Sequence, residues 1–460
     1  MSVHSHLPVR LVVIRCVAFF CTLSYSLFLV ASCSSQIVSL AQAEDEVNAE
    51  RVELTSDTEI IDEHQFFPPA NEGFANSTAA FQSYASNNPG TGIGSDFFGL
   101  NDNFDQGLLI KNENVAMKIG GFLKVDLIQD FNPISNTDAF DVTTIEIGAL
   151  PRTNTRFHAR QTRLNWDTRW NSEKGPMRVF VEGDFFFNQR ESSELGENRF
   201  RLRHAYAQHG RWIIGQTWTT LSDVAANPPT LDFEGQVASI NTRRTILRWT
   251  TDIFDSDWRL SLAAEDPFTI IETPDSLDGE ARTETPDAVV RLRWSRPNIQ
   301  FQVAGVVREL GFQPVGLPVI EETTWGVNCS QVTKLNSKTK FYNEILWGTG
   351  IGSFRGIADA APTTTGNVEL IDSVGWMVGT TYEWSKKLSS NLTYAENGVA
   401  NSNLLPDELK RGTYMAVNLI YDYAENTNVG IEYLYGERQN IDGQKAIANR
   451  IQIAFTYFLP

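Results

Sequence analysis

The sequence predicts an all-β fold: a transmembrane antiparallel β-barrel of about 16 strands, preceded by a polar, acidic N-terminal segment. Three observations lead to this prediction. Short runs of alternating apolar and polar residues recur from Met117 onward, the gaps between them are alternately long and short, and Trp and Tyr gather near the ends of the runs. The mean hydropathy of -0.24 does not oppose it, because barrel strands give a weaker hydropathy signal than membrane helices.

Residues 1–43 have the features of a secretory signal peptide. Two arginines precede an apolar run over residues 17–30, and "SLAQA" places small residues for cleavage after Ala43. An alternative remains open, because "VASC" at residues 30–33 resembles a lipoprotein cleavage box that would leave a lipidated Cys33. Cleavage after Ala43 leaves only Cys329, so no internal disulfide is expected.

Residues 44–115 form a second region, which is rich in Asn, Ser and Gly. It holds 14 acidic residues against 2 basic ones, within a chain of net charge -18. Such a composition indicates a partly disordered segment, which we place on the periplasmic side. Nucleic acid is not an expected partner for a chain this acidic.

Residues 116–460 form the predicted barrel. In the first run, Met117, Ile119 and Leu123 share one face, while Lys118 and Lys124 share the other. Even strand number, short periplasmic turns and long external loops are typical of bacterial outer-membrane barrels, and both termini then lie on the periplasmic side. The sixteen strands are expected near residues 117–130, 157–170, 177–187, 199–209, 211–220, 242–251, 257–265, 287–296, 298–308, 324–333, 339–348, 373–384, 387–395, 412–424, 427–437 and 449–459.

Arginines recur on one parity of these strands. In "RFRLRHAY", Arg199, Arg201 and Arg203 alternate with Phe200 and Leu202. Arginine facing lipid at mid-bilayer costs roughly 2 to 4 kcal/mol, so we expect the arginines to face the lumen, and Phe200, Leu202, His204 and Tyr206 to face outward. The same parity places these further arginines inside: Arg163, Arg169, Arg178, Arg244, Arg248, Arg259, Arg291 and Arg293.

Two interpretations of these arginines remain open. They can pair with lumenal carboxylates and stiffen the wall, or they can give one side of the pore a net positive charge that favours anions. Guanidinium groups also match carboxylate and phosphate groups in bidentate geometry. The inward acids are Asp126, Asp167, Glu182, Asp184, Glu265 and Glu432.

The gap over residues 221–241 is a candidate constriction loop. It carries two prolines together with Asp232 and Glu234, whose carboxylates would face the arginines across the opening. A loop that lies outside the barrel is the alternative. The acids predicted for the constriction are Asp126, Glu182, Asp184, Asp232 and Glu234.

Catalysis is not expected. The chain after residue 43 has four histidines and no spacing that suggests a nucleophile, base and carboxylate set. It has no Gly-rich phosphate loop and no Cys/His metal spacing, so neither cofactor nor metal is predicted. The alternatives to a pore for small anionic solutes are a phosphate or general-anion pore and a plugged structural barrel.

Seven ordered motifs resemble those of the DcaP-like outer-membrane porins. They are "DFNPI" at 130–134, "TRFHARQTRLNWD" at 155–167, "VEGDFF" at 181–186, "FRLRHAY" at 200–206, "GQTWTT" at 215–220, "LDFEG" at 231–235 and "LAAEDP" at 262–267. The resemblance covers the first half of the barrel well and the second half by pattern alone.

The resemblance implies a homotrimer of sixteen-stranded barrels in outer-membrane lipid that passes small anionic solutes, with dicarboxylates as the substrate class. It also implies that Arg160, Arg163, Arg201 and Arg203 line the eyelet. Arg160 lies off the parity of Leu164, so its lumenal placement requires a bulge or a loop. Family members can carry an N-terminal coiled coil, and residues 44–115 show no sustained heptad.

Overall fold

The computed structural model describes residues 108–111, 114–186, 199–254, 257–273, 277–362, 367–400 and 405–459. The predicted signal peptide, Cys33 and most of the acidic segment lie outside the described residues. The described residues form nineteen strands in one antiparallel sheet. In chain order they are β1 (Leu108–Lys111), β2 (Val115–Asp130), β3 (Asn154–His158), β4 (Arg163–Ser172), β5 (Gly175–Asp184), β6 (Arg201–His209), β7 (Trp212–Trp218), β8 (Arg243–Ile253), β9 (Trp258–Glu265), β10 (Gly279–Ala281), β11 (Asp287–Arg296), β12 (Ile299–Pro314), β13 (Ile320–Lys334), β14 (Thr339–Thr349), β15 (Asp372–Ser385), β16 (Leu388–Ala400), β17 (Leu409–Ala424), β18 (Thr427–Asn440) and β19 (Lys445–Phe458).

The sheet closes into a barrel of sixteen spanning strands, as predicted. Consecutive strands pair along the chain, and β19 pairs with β2 to complete the circle. β3 and β4 both pair with β2 and make one strand broken at residues 159–162, while β10 and β11 both pair with β12. Each of the sixteen runs predicted from the sequence corresponds to one of these spanning strands.

At one end of the barrel, which we call the turn end, each connection has two to four residues; the other connections, most of them long, lie at the loop end. Two connections expected to be long are short. The β12–β13 hairpin extends to Pro314 and Ile320, and only residues 441–444 separate β18 from β19. These strands continue beyond the region in which one face is apolar, so the alternation that marks a strand in the sequence ends before the strand does.

β1 occupies the seam where the barrel closes. It runs antiparallel to β2, with Leu108 opposite Ile119. Farther along the same edge of β2, Phe458 of β19 lies opposite Phe122, and the Leu459 N–H donates to the Gly121 carbonyl at 3.0 Å. β1 and the end of β19 therefore lie end to end on one edge of β2, and the sheet begins before the boundary predicted at residue 116.

The two faces of the wall differ as a membrane barrel requires. Outward positions are apolar and exposed, as at Ile119, Leu123 and Leu247, while most of the buried charged and polar side chains lie on the inner face. Aromatic side chains surround the turn end, as expected at a lipid–water interface: Trp166, Trp212, Trp384, Tyr421, Tyr423 and Tyr457.

The described part of the chain contains little helix. The described residues include three short 3₁₀ helices in loops: Val142–Thr144, Val224–Ala226 and Gly352–Arg355. None of the described helices is long and apolar enough to cross a membrane.

Candidate functional site

The loop between β7 and β8, residues 219–242 (L3), folds into the barrel. Glu432, on the inner face of β18, accepts hydrogen bonds from the Leu231 N–H at 3.0 Å and the Asp232 N–H at 2.8 Å. Asn418 on β17 donates to the Pro229 carbonyl at 3.0 Å. L3 therefore crosses the lumen to the opposite wall. Further contacts between L3 and the inner wall come from Lys124, Gln300, Asn328, Ser330 and Gln452.

Glycines on the inner face of the wall make room for L3. A Cβ at Gly379 on β15 would clash with Pro228, and a Cβ at Gly430 on β18 would lie 2.8 Å from the Leu231 side chain. Three more inward glycines lie close to loop residues: Gly375 beside Ala238, Gly412 beside Val237, and Gly436 beside Phe140 of L1 (residues 131–153). We call these five residues the glycine cluster. Because glycine has no side chain, these positions on β15, β17 and β18 allow L3 and L1 to lie close to the wall.

L3 also holds L1. The Asp232 carboxylate accepts hydrogen bonds from the Phe140 N–H of L1 at 2.8 Å and from the Gly235 N–H at 3.0 Å. Since Glu432 binds the backbone of Asp232, one continuous chain of hydrogen bonds joins the wall, L3 and L1. Such charge-assisted bonds contribute roughly 1.5 to 3 kcal/mol each, so the two loops form one rigid unit inside the barrel.

Three predicted arginines cluster on the wall that faces the tip of L3. Arg201 donates through Nε and Nη2 to Asp184 at 2.9 and 2.8 Å. Arg203 donates to Glu182 at 3.1 Å and to Asp184 at 2.7 Å. Arg163 Nη1 lies 3.5 Å from Glu182 Oε1. Three guanidinium groups thus share two carboxylates, which leaves net positive charge.

The tip of L3 contacts this cluster directly. The Phe233 ring lies 5.1 Å from the Arg201 guanidinium carbon and 5.8 Å from that of Arg203. It also stacks on Phe186 with the ring centroids 3.9 Å apart. The next residue, Glu234, is half-buried. Both predicted acids of L3 therefore lie inside the barrel, Asp232 bonded to L1 and Glu234 directly after the ring that contacts the arginines.

A second basic row lies closer to the turn end. Arg169 on β4 and Arg178 on β5 are directly opposite each other, a pairing of like charges that is normally unfavourable. Both bind Asp167 through two nitrogens, at 3.3 and 2.9 Å for Arg169 and at 2.9 and 2.8 Å for Arg178. The hydrogen-bonded register continues this row through Gln208 to Arg248.

Three further predicted arginines are also buried on the inner face, whereas Arg259 is half-buried and Arg199 is exposed before the start of β6. Arg291 donates to Ser261 at 2.8 Å, and Arg293 donates to Gln302 at 2.7 Å. Arg244 lies between two loop rings, 5.0 Å from Phe268 and 5.2 Å from Phe354.

Arg160 lies in the irregular segment between β3 and β4. This break in the strand is the bulge or loop that a lumenal placement of Arg160 requires. It donates to Asp138 of L1 at 2.5 Å, and Asp138 also accepts from Arg156 at 2.6 Å. The predicted acid Asp126 is 3.2 Å from Lys124, and Gln452 donates to it at 2.8 Å. Asp126 is thus paired on the wall of β2 and does not contact the arginine cluster.

The structure corrects the expected orientation of two side chains on β6. His204 and Tyr206 were expected to face outward, but they are 0% and 3% exposed on the inner face. The register shifts between Glu182 and Gly183, so β6 carries one extra residue at this point. Because a β-bulge reverses the side-chain alternation beyond it, Arg201 and Arg203 face inward together with His204.

The charges on the two walls are unequal. The inner face of β15–β18 presents mainly small, hydroxyl and amide side chains: Ser373, Thr381, Ser389, Asn391, Thr393, Asn397, Asn418 and Asn428. The inner face of β4–β8 carries seven arginines (Arg163, Arg169, Arg178, Arg201, Arg203, Arg244 and Arg248) and three buried carboxylates (Asp167, Glu182 and Asp184).

Several residues of the site were not predicted. Glu432 was expected to face inward, but its bonds to L3 were not anticipated. Arg243 at the base of L3, whose guanidinium lies 4.0 Å from the Trp218 ring, was also missed. The position of L3 against β15–β18 could have been predicted from the glycines in these strands, because glycine inside a strand often marks a close approach of another backbone.

A closed sixteen-stranded barrel with an apolar exterior, a polar interior and an inserted loop is the architecture of a porin. The crystal structure of the outer membrane channel DcaP of Acinetobacter baumannii has this fold; it is 20% identical, with a TM-score of 0.69 over 77% of this chain and 100% of that one. An anion-selective porin from Comamonas acidovorans is 9% identical, with a TM-score of 0.50 over 75% of this chain and 100% of that one.

Residues 100–459 match the family model of the DcaP outer membrane protein, and the chain belongs to that family. The predictions of the family, of an outer-membrane location and of a channel rather than an enzyme are therefore confirmed. No curated protein matches the sequence.

Proposed function

We propose that this porin passes small anionic solutes, with dicarboxylates as the preferred class. The observation that carries the proposal is the excess of arginine over carboxylate on the inner face of β4–β8, opposite a loop that fills the other side of the lumen. A confined basic wall raises the local concentration of anions and lowers that of cations.

The arrangement at L3 favours carboxylates of small size. Arg201 and Arg203 bind the same carboxylate, Asp184, so their guanidinium groups lie close enough for one small solute to contact both. Guanidinium binds a carboxylate through two parallel hydrogen bonds. A dicarboxylate can therefore exchange one arginine for the next while it moves along the wall, without losing all its partners at once.

Phosphate is the second candidate, because the same arginines suit it in charge and geometry. Adding succinate or phosphate to one side of a single channel in a planar bilayer separates the two. We expect succinate to interrupt the current at lower concentration than phosphate does. Stronger interruption by phosphate would favour a phosphate pore, and equal, weak effects of both would indicate a general-anion pore. A barrel that conducts no ions would be plugged.

We also propose a homotrimer, as the sequence resemblance implies. The broad apolar outer wall, which includes Phe157 at 71% exposed and Trp166 at 53% exposed, supplies surface both for lipid and for other copies of the chain. Native mass spectrometry of the detergent-solubilised protein is expected to give three chains per particle, and a single-chain mass would contradict the proposal.

A further inference from the structure

A second loop enters the barrel beside L3. It connects β14 to β15, and we call its first part, residues 350–362, L6. Phe354 of L6 is 0% exposed, and its carbonyl accepts a hydrogen bond from Thr242 at the base of L3 at 3.2 Å. On the inner face of β12, Arg308 donates to the Ser353 hydroxyl at 3.0 Å. L6 is therefore held against both L3 and the wall.

Arg355, the last residue of the 3₁₀ helix in L6, carries a buried guanidinium group. A Cβ at Gly375 on β15 would lie 2.1 Å from Arg355 Nη1 and 3.2 Å from the Cβ of Ala238 in L3, so the guanidinium lies against the wall beside L3. Within the described part of the chain, none of its three nitrogens has a hydrogen-bond partner, and Arg355 forms no ion pair. A cation is thus enclosed where L6, L3 and the wall meet.

Further buried polar groups lie around the same glycine. Asn397 on β16 is directly opposite Gly375 and is 2% exposed. Its Oδ1 accepts from the Gly412 N–H at 3.1 Å, whereas its Nδ2 is buried and has no partner among the described residues. Ser373 is two residues before Gly375 on the same face of β15, and its hydroxyl is likewise buried with no described partner. Since opposite residues of adjacent strands have Cβ atoms roughly 5 Å apart, these groups and the Arg355 guanidinium lie next to one another.

The chemistry of these groups suits an anion. Buried polar groups in proteins are almost always hydrogen-bonded, and a buried guanidinium without a counter-charge is strongly unfavourable. Guanidinium, amide and hydroxyl groups can all donate, and hydrogen bonds to a charged acceptor are the stronger kind. We propose that Arg355, Asn397 and Ser373 bind one small inorganic anion, such as chloride, between L6, L3 and the wall. The anion neutralises Arg355 and joins the two loops to β15 and β16.

This site is separate from the arginine cluster described above. Arg355 lies beside Ala238 of L3, whereas Arg201 contacts Phe233 at the tip of L3. Since the Arg355 nitrogens are enclosed rather than open to the pore, the ligand must be small. The inference therefore does not rest on the solute preference proposed above.

Glu344 on β14 is the competing partner of Arg355. It faces inward opposite Met377, two residues along β15 from Gly375, and its Oε1 accepts from Asn328 at 2.9 Å. Its Oε2 is buried and has no hydrogen-bond partner in the part of the chain that the structure describes. A shift of L6 that joined Glu344 to Arg355 would remove the need for an anion, so the experiment must separate these two arrangements.

Bromide can locate the anion directly, because it replaces chloride and scatters X-rays anomalously. In crystals of the purified protein grown in sodium bromide, we expect an anomalous peak in contact with Arg355 and Asn397. An ion pair between Arg355 and Glu344 without a peak would overturn the inference. A water molecule at this position in place of bromide would overturn it as well.

The heat-unfolding temperature tests whether the ion is bound in solution. A ligand that binds only the folded protein raises this temperature, so we expect the wild type to unfold at a higher temperature in sodium chloride than in sodium gluconate of equal ionic strength. Gluconate is a bulky anion that does not suit an enclosed site. Arg355→Met removes the charge from a side chain of similar length and is expected to lose most of this difference. The matched control is Arg296→Gln at the exposed turn end, which is expected to keep it.

Equal dependence on chloride in the wild type and in Arg355→Met would place the stabilising anion elsewhere and overturn the inference. A bromide peak in a protein whose stability does not depend on chloride would indicate an adventitious ion only, which would also overturn it.

Discussion

Arg203 shows how one extra residue changes what a strand presents to the pore. Because β6 bulges there, Arg203 and the following His204 both face inward, and Arg203 bonds to two carboxylates on β5. The alternation of the sequence correctly placed Arg201 inside. It did not predict the bulge, because "RLRHAYAQ" alternates equally well with or without an extra residue; the difference comes from pairing with β5.

At the residue scale, neutralising the cluster should reverse its charge. In the double variant Arg201→Gln and Arg203→Gln, Glu182 and Asp184 retain only Arg163 as a cluster partner. We expect the reversal potential under a KCl gradient to move toward cation selectivity. Arg296→Gln is the control, since Arg296 pairs with Asp257 at the exposed turn end and is expected to have no effect. An unchanged reversal potential in the double variant would exclude the cluster as the selectivity element.

Glu432 is expected to position L3. In Glu432→Gln the amide offers one acceptor oxygen to the two N–H groups of Leu231 and Asp232, and each bond to the charged group contributes roughly 1.5 to 3 kcal/mol. We predict larger fluctuations of the open-channel current as L3 loosens. The control is Glu437→Gln, which loses a half-exposed pair with Lys445 and has no bond to L3 among those described. Equal fluctuations in both variants would show that Glu432 does not hold the loop.

At the scale of elements, the strands were predictable and the loop contacts were not. Lipid on one face and water on the other impose a two-residue period, so all sixteen spanning strands were visible in the sequence. L3 has no such period. Its path depends on partners distant in the chain, such as Glu432 and Gly379, which sequence spacing cannot bring together.

Larger side chains in the glycine cluster should move L3 toward the arginines. In Gly379→Val or Gly430→Val the new side chain would meet Pro228 or Leu231, while valine itself suits a strand. We predict a smaller single-channel conductance. Gly398→Val is the control, because a Cβ there meets only the Lys410 carbonyl, at 3.6 Å. If all three variants conduct like the wild type, the packing of L3 against this wall does not set the pore width.

Removing L3 should have the opposite effect. Deletion of residues 224–236 takes away the segment that carries Asp232, Phe233 and Glu234 while keeping both ends of the loop. We expect a larger conductance and weaker ion selectivity, because the arginine wall would no longer face a nearby surface. Conductance equal to that of the wild type would show that L3 is not the constriction.

At the scale of the whole molecule, the charge of the chain and the charge of the pore have opposite signs. The chain carries a net charge of -18, and yet the inner face of β4–β8 is rich in arginine. The net charge of the chain does not indicate an anion pore, whereas the parity of the arginines along the strands predicts one. The reason is that exposed acids in loops are screened by salt within about 10 Å, while arginines on a narrow wall act on every ion that passes.

We propose that the arginine wall makes this porin selective for anions. The most direct test is the reversal potential of the purified wild-type protein in a planar bilayer under a KCl gradient. We predict a conducting channel whose reversal potential has the sign of chloride selectivity and weakens as the salt concentration rises. A reversal potential with the sign of potassium selectivity would show that the carboxylates of L3 and the wall, and not the arginines, control the passage of ions.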